Sequence, residues 1–192
     1  MGLFTRDIKS LEDLFDHGLK DIYYAENQIL KALPKRIEAA TNPQLKKGLK
    51  DHLAETENQV SRLEQIFEMQ EDKPKGTKCP GINGLLKEGD DLTGNIADKN
   101  VLDASAQAVE HYEITRYGAL IAWARQIGRD DFAEILEVNF EEEKAADEKL
   151  NSLAKTRVNA KAGGRQSASR KDASSSARKK PAVTRRPRRK AA

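Results

Sequence analysis

Glu110-His111-Tyr112-Glu113-Ile114-Thr115-Arg116-Tyr117 sets two acids three residues apart, with a tyrosine four further on, inside a helical pattern. Read outward, one face of that helix carries Ala106, Glu110, Glu113, Tyr117, Leu120, Ala124 and Ile127 over residues 101–128, and Gly128 is its natural stop. Residues three or four apart share a helix face, so both acids stand where a bundle core wants leucine. An isolated ionised carboxylate persists there only when it is paired, protonated or bound to a metal.

Three further amphipathic segments repeat the anomaly. A first helix over residues 10–40 has Ser10 as N-cap and Asp13 completing a capping box, with Leu11, Phe15, Ile22, Ile29 and Leu33 on its stripe and Glu26 among them. Pro34 either kinks that helix or moves its end. Thr41-Asn42-Pro43 starts a second helix running to residue 71, whose stripe is Leu45, Leu49, His52, Thr56, Gln59, Leu63 and Ile66, with Glu55 at its edge. A last helix over 131–155 aligns Leu136, Phe140, Glu143, Asp147, Leu150 and Ala154. Between the second and third long helices lies a turn-rich stretch, 72–99, with one short helix over 85–96. Two short links and one long middle link give antiparallel hairpins joined by a crossover, so the expected fold is an all-α, ferritin-like four-helix bundle.

The acids fall near the middle of each helix, so antiparallel neighbours bring them to one level. Glu26, His52, Glu55, Glu110, Glu113 and Glu143, with Asp147 as a further candidate, are read as ligands of two metal ions per chain. Oxygen-rich ligation with at most one imidazole suits iron, with manganese as the alternative. Glu55 and Glu143 are expected as bridging or terminal ligands, and Tyr23, Tyr24, Tyr112 and Tyr117 as hydrogen-bonding partners of the ligands. Glu57, Glu64, Glu141 and Glu142 read as solvated faces, His111 as facing away from the acids, and Cys79 as a structural residue of the crossover.

Charge divides the chain in two. Of its 34 Lys and Arg and 31 Asp and Glu, residues 155–192 hold 14 of the bases and one acid, Asp172, a net of +13; residues 1–154 are left with a net of −10. No apolar run approaches the roughly 20 residues that cross a bilayer, and no apolar stretch follows Met1 to suggest a secretory signal. These features, with the single Cys79, predict a cytoplasmic protein. Residues 8–155 are expected as the bundle and 160–192 as a disordered Lys/Arg/Ala/Pro-rich tail. The tail's clusters, Arg178, Lys179 and Lys180, then Arg185, Arg186, Arg188, Arg189 and Lys190, resemble linker-histone tails and predict non-specific, salt-sensitive contact with DNA and a place near the nucleoid. Without an apolar anchor the tail is not expected to hold a membrane.

Four strings carry a family resemblance: Asp21-Ile-Tyr-Tyr-Ala-Glu-Asn-Gln28, His52-Leu-Ala-Glu-Thr-Glu-Asn-Gln59, Ala108-Val-Glu-His-Tyr-Glu-Ile-Thr-Arg-Tyr-Gly118 and Glu141-Glu-Glu-Lys-Ala-Ala-Asp-Glu-Lys-Leu150. Over residues 8–155 the chain resembles the YciF/YciE family of bacterial ferritin-like proteins. The resemblance implies a dimeric, stress-associated protein with a di-metal centre, in which Glu26, Glu55, Glu110, Glu113 and Glu143 match the carboxylates of ferritin and rubrerythrin sites. Those relatives use Glu-x-x-His, whereas positions 58 and 146 here are Asn and Ala; His52 precedes Glu55 by three, and Asp147 follows Glu143 by four. The expected function is handling of iron or peroxide beside DNA, with ferroxidase or peroxidase turnover left open. The rivals are a non-enzymatic helical dimer that binds nucleic acid through its tail, and a manganese-dependent peroxide dismutase.

Overall fold

The structure is a computed structural model that describes residues 8–95, 109–153 and 155. Its helices are α1 (Leu11–Ala39), α2 (Pro43–Met69), α3 (Pro80–Asn95), α4 (Glu110–Gln126) and α5 (Asp130–Leu153). Ser10 caps α1 through the expected reciprocal box: its hydroxyl accepts from the Asp13 amide while the Asp13 carboxylate accepts from the Ser10 amide. Pro34 lies inside α1 without ending it. Asn42 caps α2 by accepting from the amides of Gln44 and Leu45, with Pro43 at the first helical position, where its missing N–H costs nothing. Gly128 follows α4 with φ +74°, the left-handed conformation that closes a helix and that glycine adopts without strain.

α1 packs on α2 and α4, and α5 packs on α2 and α4, closing a square. Every neighbour pair is antiparallel. Asp16 meets Gln70 while Tyr23 meets Glu64; Asp51 meets Lys149 while Arg62 meets Glu142; His111 meets Asp147 while Arg125 meets Glu137. On the α1–α4 side, Gly18 faces Leu120 and Trp123 while Asp21 meets Tyr112 and Arg116. α2 and α4 are therefore parallel across the diagonal, the relation that a single long crossover produces. Among the described residues no helix is long and apolar enough to cross a membrane.

α3 begins at Pro80, five residues before the expected start, because proline suits a helix's first turn. It lies on α1, burying Cys79 and Ile82, with Tyr24 donating to the Asn83 carboxamide at 3.1 Å. The strand of chain before it presses on α1 so closely that a Cβ at Gly76 would stand 2.9 Å from the Tyr24 backbone. The expected beginning of the third long helix, residues 101–108 with Ala106, lies outside the described residues, as does the basic tail.

The core is layered. One end joins Phe15, Leu19, Ile22, Leu63, Ile66, Phe67, Leu120, Phe132 and Leu136, with the Phe15 and Phe132 rings stacked 5.7 Å apart. The other end joins Ile29, Leu33, Leu45, Leu49 and Leu150. Between them sits a polar waist.

Candidate metal centre

Glu26, His52, Thr56, Gln59, Glu110, Glu113, Tyr117, Asn139 and Glu143 make up that waist; all are buried, and Glu26, Glu113 and Glu143 are fully so. Each sits on the inward face of its own helix, so the bundle cannot fold without bringing them together. One ligand atom each from His52, Glu110, Glu113 and Glu143 falls within 4.8 Å of the others. His52 Nε2 lies 3.7 Å from Glu110 Oε1. Glu26 adjoins this group: it accepts a short hydrogen bond from the Tyr117 hydroxyl, and its charge acts on Glu113 and Glu143.

A frame of neutral amides and hydroxyls steers the acids. Gln59 donates to Glu143 Oε1 at 2.5 Å. Asn139 donates to the Tyr117 hydroxyl at 3.0 Å and accepts from Arg62, which also forks onto Glu142. Thr56 spends its hydroxyl on the His52 carbonyl. These contacts still leave Glu26 Oε2, His52 Nδ1, Gln59 Oε1, Glu110 Oε2, both oxygens of Glu113 and Glu143 Oε2 buried without a partner outside the acids, which meet one another as Glu26 with Glu113 and Glu110 with Glu143 where one of each pair is protonated. Native interiors hold only a few such atoms per hundred residues, and here seven converge on one waist.

The electrostatics describe the same deficit. Burial pushes Glu26 up to about 7 against the pull of the Tyr117 hydroxyl. Burial, then the charges of Glu26 and Glu110, push Glu143 up to about 11. Burial and the charges of Glu26, Glu143 and Glu110 hold Glu113 well above the usual carboxylate range. Burial and Glu26 raise the Tyr117 hydroxyl, keeping it a donor. Without cations the acids crowd together and retain protons; with cations the repulsion becomes ligation. Ionised, Glu26, Glu110, Glu113 and Glu143 carry a charge that two divalent ions would balance. The partnerless oxygens and the one imidazole therefore fit an oxygen-seeking cation.

Three expected ligands fall outside that four-residue group: Glu26 adjoins it, and Glu55 and Asp147 lie further off. Glu55 is half-buried beside His52, on the wall of a small cavity between α2 and α5. Thr56, one residue and about 100° further round the helix, takes the inward position. Asp147 is half-buried at the α4–α5 edge, where it meets the exposed His111 at 3.4 Å. Phe140 is likewise displaced: the inward line of α5 runs Leu136, Asn139, Glu143, Ala146, Leu150. The expected and the observed lines both alternate steps of three and four and share Leu136, Glu143 and Leu150, so spacing alone does not choose Asn139 over Phe140 or Ala146 over Asp147. Asn139 was the residue sequence reasoning missed, and the spacing held no signal for it. Of the tyrosines, Tyr117 reaches a waist acid directly. Tyr112 instead links Cys79 (2.9 Å) to Asp21 (3.0 Å) beneath α3, and Tyr23 and Tyr24 bond Glu64 and Asn83.

Known proteins share this fold. YciF of Escherichia coli is 40% identical over 161 residues, covering 81% of this chain and 97% of that protein. The solved structure of that E. coli stress protein superposes with a TM-score of 0.75 over 79% of this chain and 99% of its own. YcfI of Rhodopseudomonas palustris gives the same score at 58% identity, over 78% and 98%. An Anabaena variabilis protein with DJ-1/ThiJ/PfpI-like and ferritin-like domains matches at 19% identity and TM-score 0.58, over 79% of this chain and 39% of its own, a likeness of fold alone. The family model described as a domain of unknown function, DUF892, spans residues 10–163, and the chain belongs to this YciF-type, ferritin-like family.

Proposed function

We propose that the protein is a carboxylate two-metal protein that takes up ferrous iron and uses its oxidation to remove peroxide. The observation that carries this reading is the convergence of seven partnerless buried atoms on one waist. Bound iron would supply one electron per ion, matching the two electrons that reduce hydrogen peroxide to water. Glu110, Glu113, Glu143 and His52 would hold the ions, with Glu26 beside them. Gln59 and Tyr117 orient two of the acids, each through one oxygen, leaving the other oxygen free to ligate. The apolar layers above and below keep bulk water out.

The E. coli relative is a stress protein, and a peroxide-removing role for this chain fits that setting. We further propose that it acts in the cytoplasm as a homodimer, and that the Lys/Arg tail holds it beside DNA, where iron and peroxide do most harm. Elemental analysis of protein purified from its host should find about two irons per chain, as carboxylate two-metal bundles hold, and Glu110→Ala/Glu143→Ala should lose them. Manganese in their place would favour the peroxide dismutase. No metal, with the double variant more stable than the parent, would favour the non-enzymatic dimer, a reading supported by the raised Glu113 and Glu143. Removing residues 160–192 should abolish DNA retardation at low salt and leave the helical signal unchanged. Equal DNA binding by the shortened chain would refute the tail's role.

A further inference from the structure

A small cavity lies beside the waist. Between α2 and α5 it measures about 90 Å³, walled by Gly48, Leu49, His52 and Glu55 from α2 and by Ala145, Ala146, Lys149 and Leu150 from α5. We propose that this cavity is the inlet through which a hydrated divalent cation reaches the metal centre, with Glu55 as the acid that receives it. The proposal rests on the two-metal reading of the waist.

His52 is the hinge of the argument, because it belongs both to the cavity wall and to the four-residue cluster. Its side chain is 7% exposed, and its Nδ1 has no hydrogen-bond partner. A buried, partnerless imidazole nitrogen on a cavity wall is an available ligand. The cavity's size selects what can approach: it has room for several waters, but organic ligands occupy sites of about 300 Å³ or more.

The wall is largely apolar, so its few charges decide what it admits. Lys149 is tied to Asp51 at 3.0 Å, and Asp51 also takes Lys47 at 2.7 Å, so one carboxylate holds both ammonium groups at the rim. Glu55 makes no hydrogen bond or ion pair among the described residues, which leaves its carboxylate as the unpaired acid of the wall. Gly48 keeps the space open. Glycine inside a helix costs about 0.5–1 kcal/mol relative to alanine, yet a Cβ here would meet only the flexible Lys149 Cε, at 3.8 Å. Close packing therefore does not demand a glycine at this position, and an unfilled passage does gain from one.

An inlet lies on the path and not at its end, so closing it should slow arrival and departure equally and leave the equilibrium alone. The test follows Co²⁺ uptake by its visible absorption and Co²⁺ release to excess chelator, in the full chain. Gly48→Leu should slow both by about tenfold, the effect of a barrier raised by one decade in rate, with Kd unchanged. Ala145→Phe, substituted from an exposed position, should do the same and serves if Gly48→Leu fails to fold. Glu55→Gln should slow uptake several-fold at low ionic strength and less at high, since salt screens an attracting charge. Cobalt that binds the parent and both plugged variants at equal rates would overturn the inlet alone. A change in Kd with uptake untouched would also overturn it. A parent chain that binds no cobalt would overturn the two-metal reading and the inlet with it.

Discussion

Along α2, Leu63, Ile66 and Phe67 at one end and Leu45 and Leu49 at the other are buried against leucines, isoleucines and phenylalanines, whereas His52, Thr56 and Gln59 between them are equally buried and meet acids. The ends do what a bundle core does: they remove apolar area from water at about 25 cal/mol per Å². The waist takes four glutamates out of water and satisfies fewer than half of their oxygens. That is a loss of stability for the metal-free chain and a ready-made ligand set for cations. The candidate ligand set and the apolar packing thus occupy different layers of a single core.

The contrast can be broken from either side. In the apolar end, Phe15→Ala removes one partner of the stacked pair and should cost about 3–5 kcal/mol, with or without metal. Chemical denaturation should show equal losses in the two forms. Metal-dependent losses would mean that the layers are not independent.

In the waist, pH should act with opposite sign in the two forms. Glu26 is raised from 4.5 to about 7, so the folded metal-free chain holds its proton where the unfolded chain has lost it. The metal-free protein should therefore lose stability as pH rises from about 4.5 through about 7, on the order of 3 kcal/mol from this fully buried group. The loaded protein should instead weaken as pH falls, because protons compete with the ions for the carboxylates. Thermal melts of both forms between pH 5 and 8 read this directly, and parallel pH profiles would refute it. Next is Glu113→Gln, which removes an acid that burial already keeps protonated in the metal-free chain. It should leave the metal-free bundle within about 1 kcal/mol of the parent at neutral pH, because no buried charge is lost, while sharply weakening metal binding. Smallest is Ser10→Ala, which removes a cap far from the waist and should cost about 1 kcal/mol in both forms.

Sequence made the apolar ends and much of the waist legible for one reason: helical spacing reports which face is buried whether the residue there is apolar or charged. Leu45 to Ile66 on α2 follow that spacing, and so do Glu110, Glu113 and Tyr117 on α4. What spacing does not resolve is a choice between adjacent residues at a stripe's edge. Ala146 and Asp147 are one such choice: the reading aligned Asp147, and the helix turned Ala146 inward. Asn139 and Phe140 are another, in which the larger apolar side chain drew the reading and the smaller amide took the core position because it bonds Tyr117 and Arg62 there. The start of α3 depended on a proline read as a turn that in fact opens a helix.

The most direct test of the account is a crystal of the full chain grown with Mn²⁺ and measured for anomalous scattering. The account predicts two peaks within the waist, bounded by His52, Glu110, Glu113 and Glu143 with Glu26 alongside. A map without peaks there, and with these side chains turned apart or bonded only to one another, would contradict it.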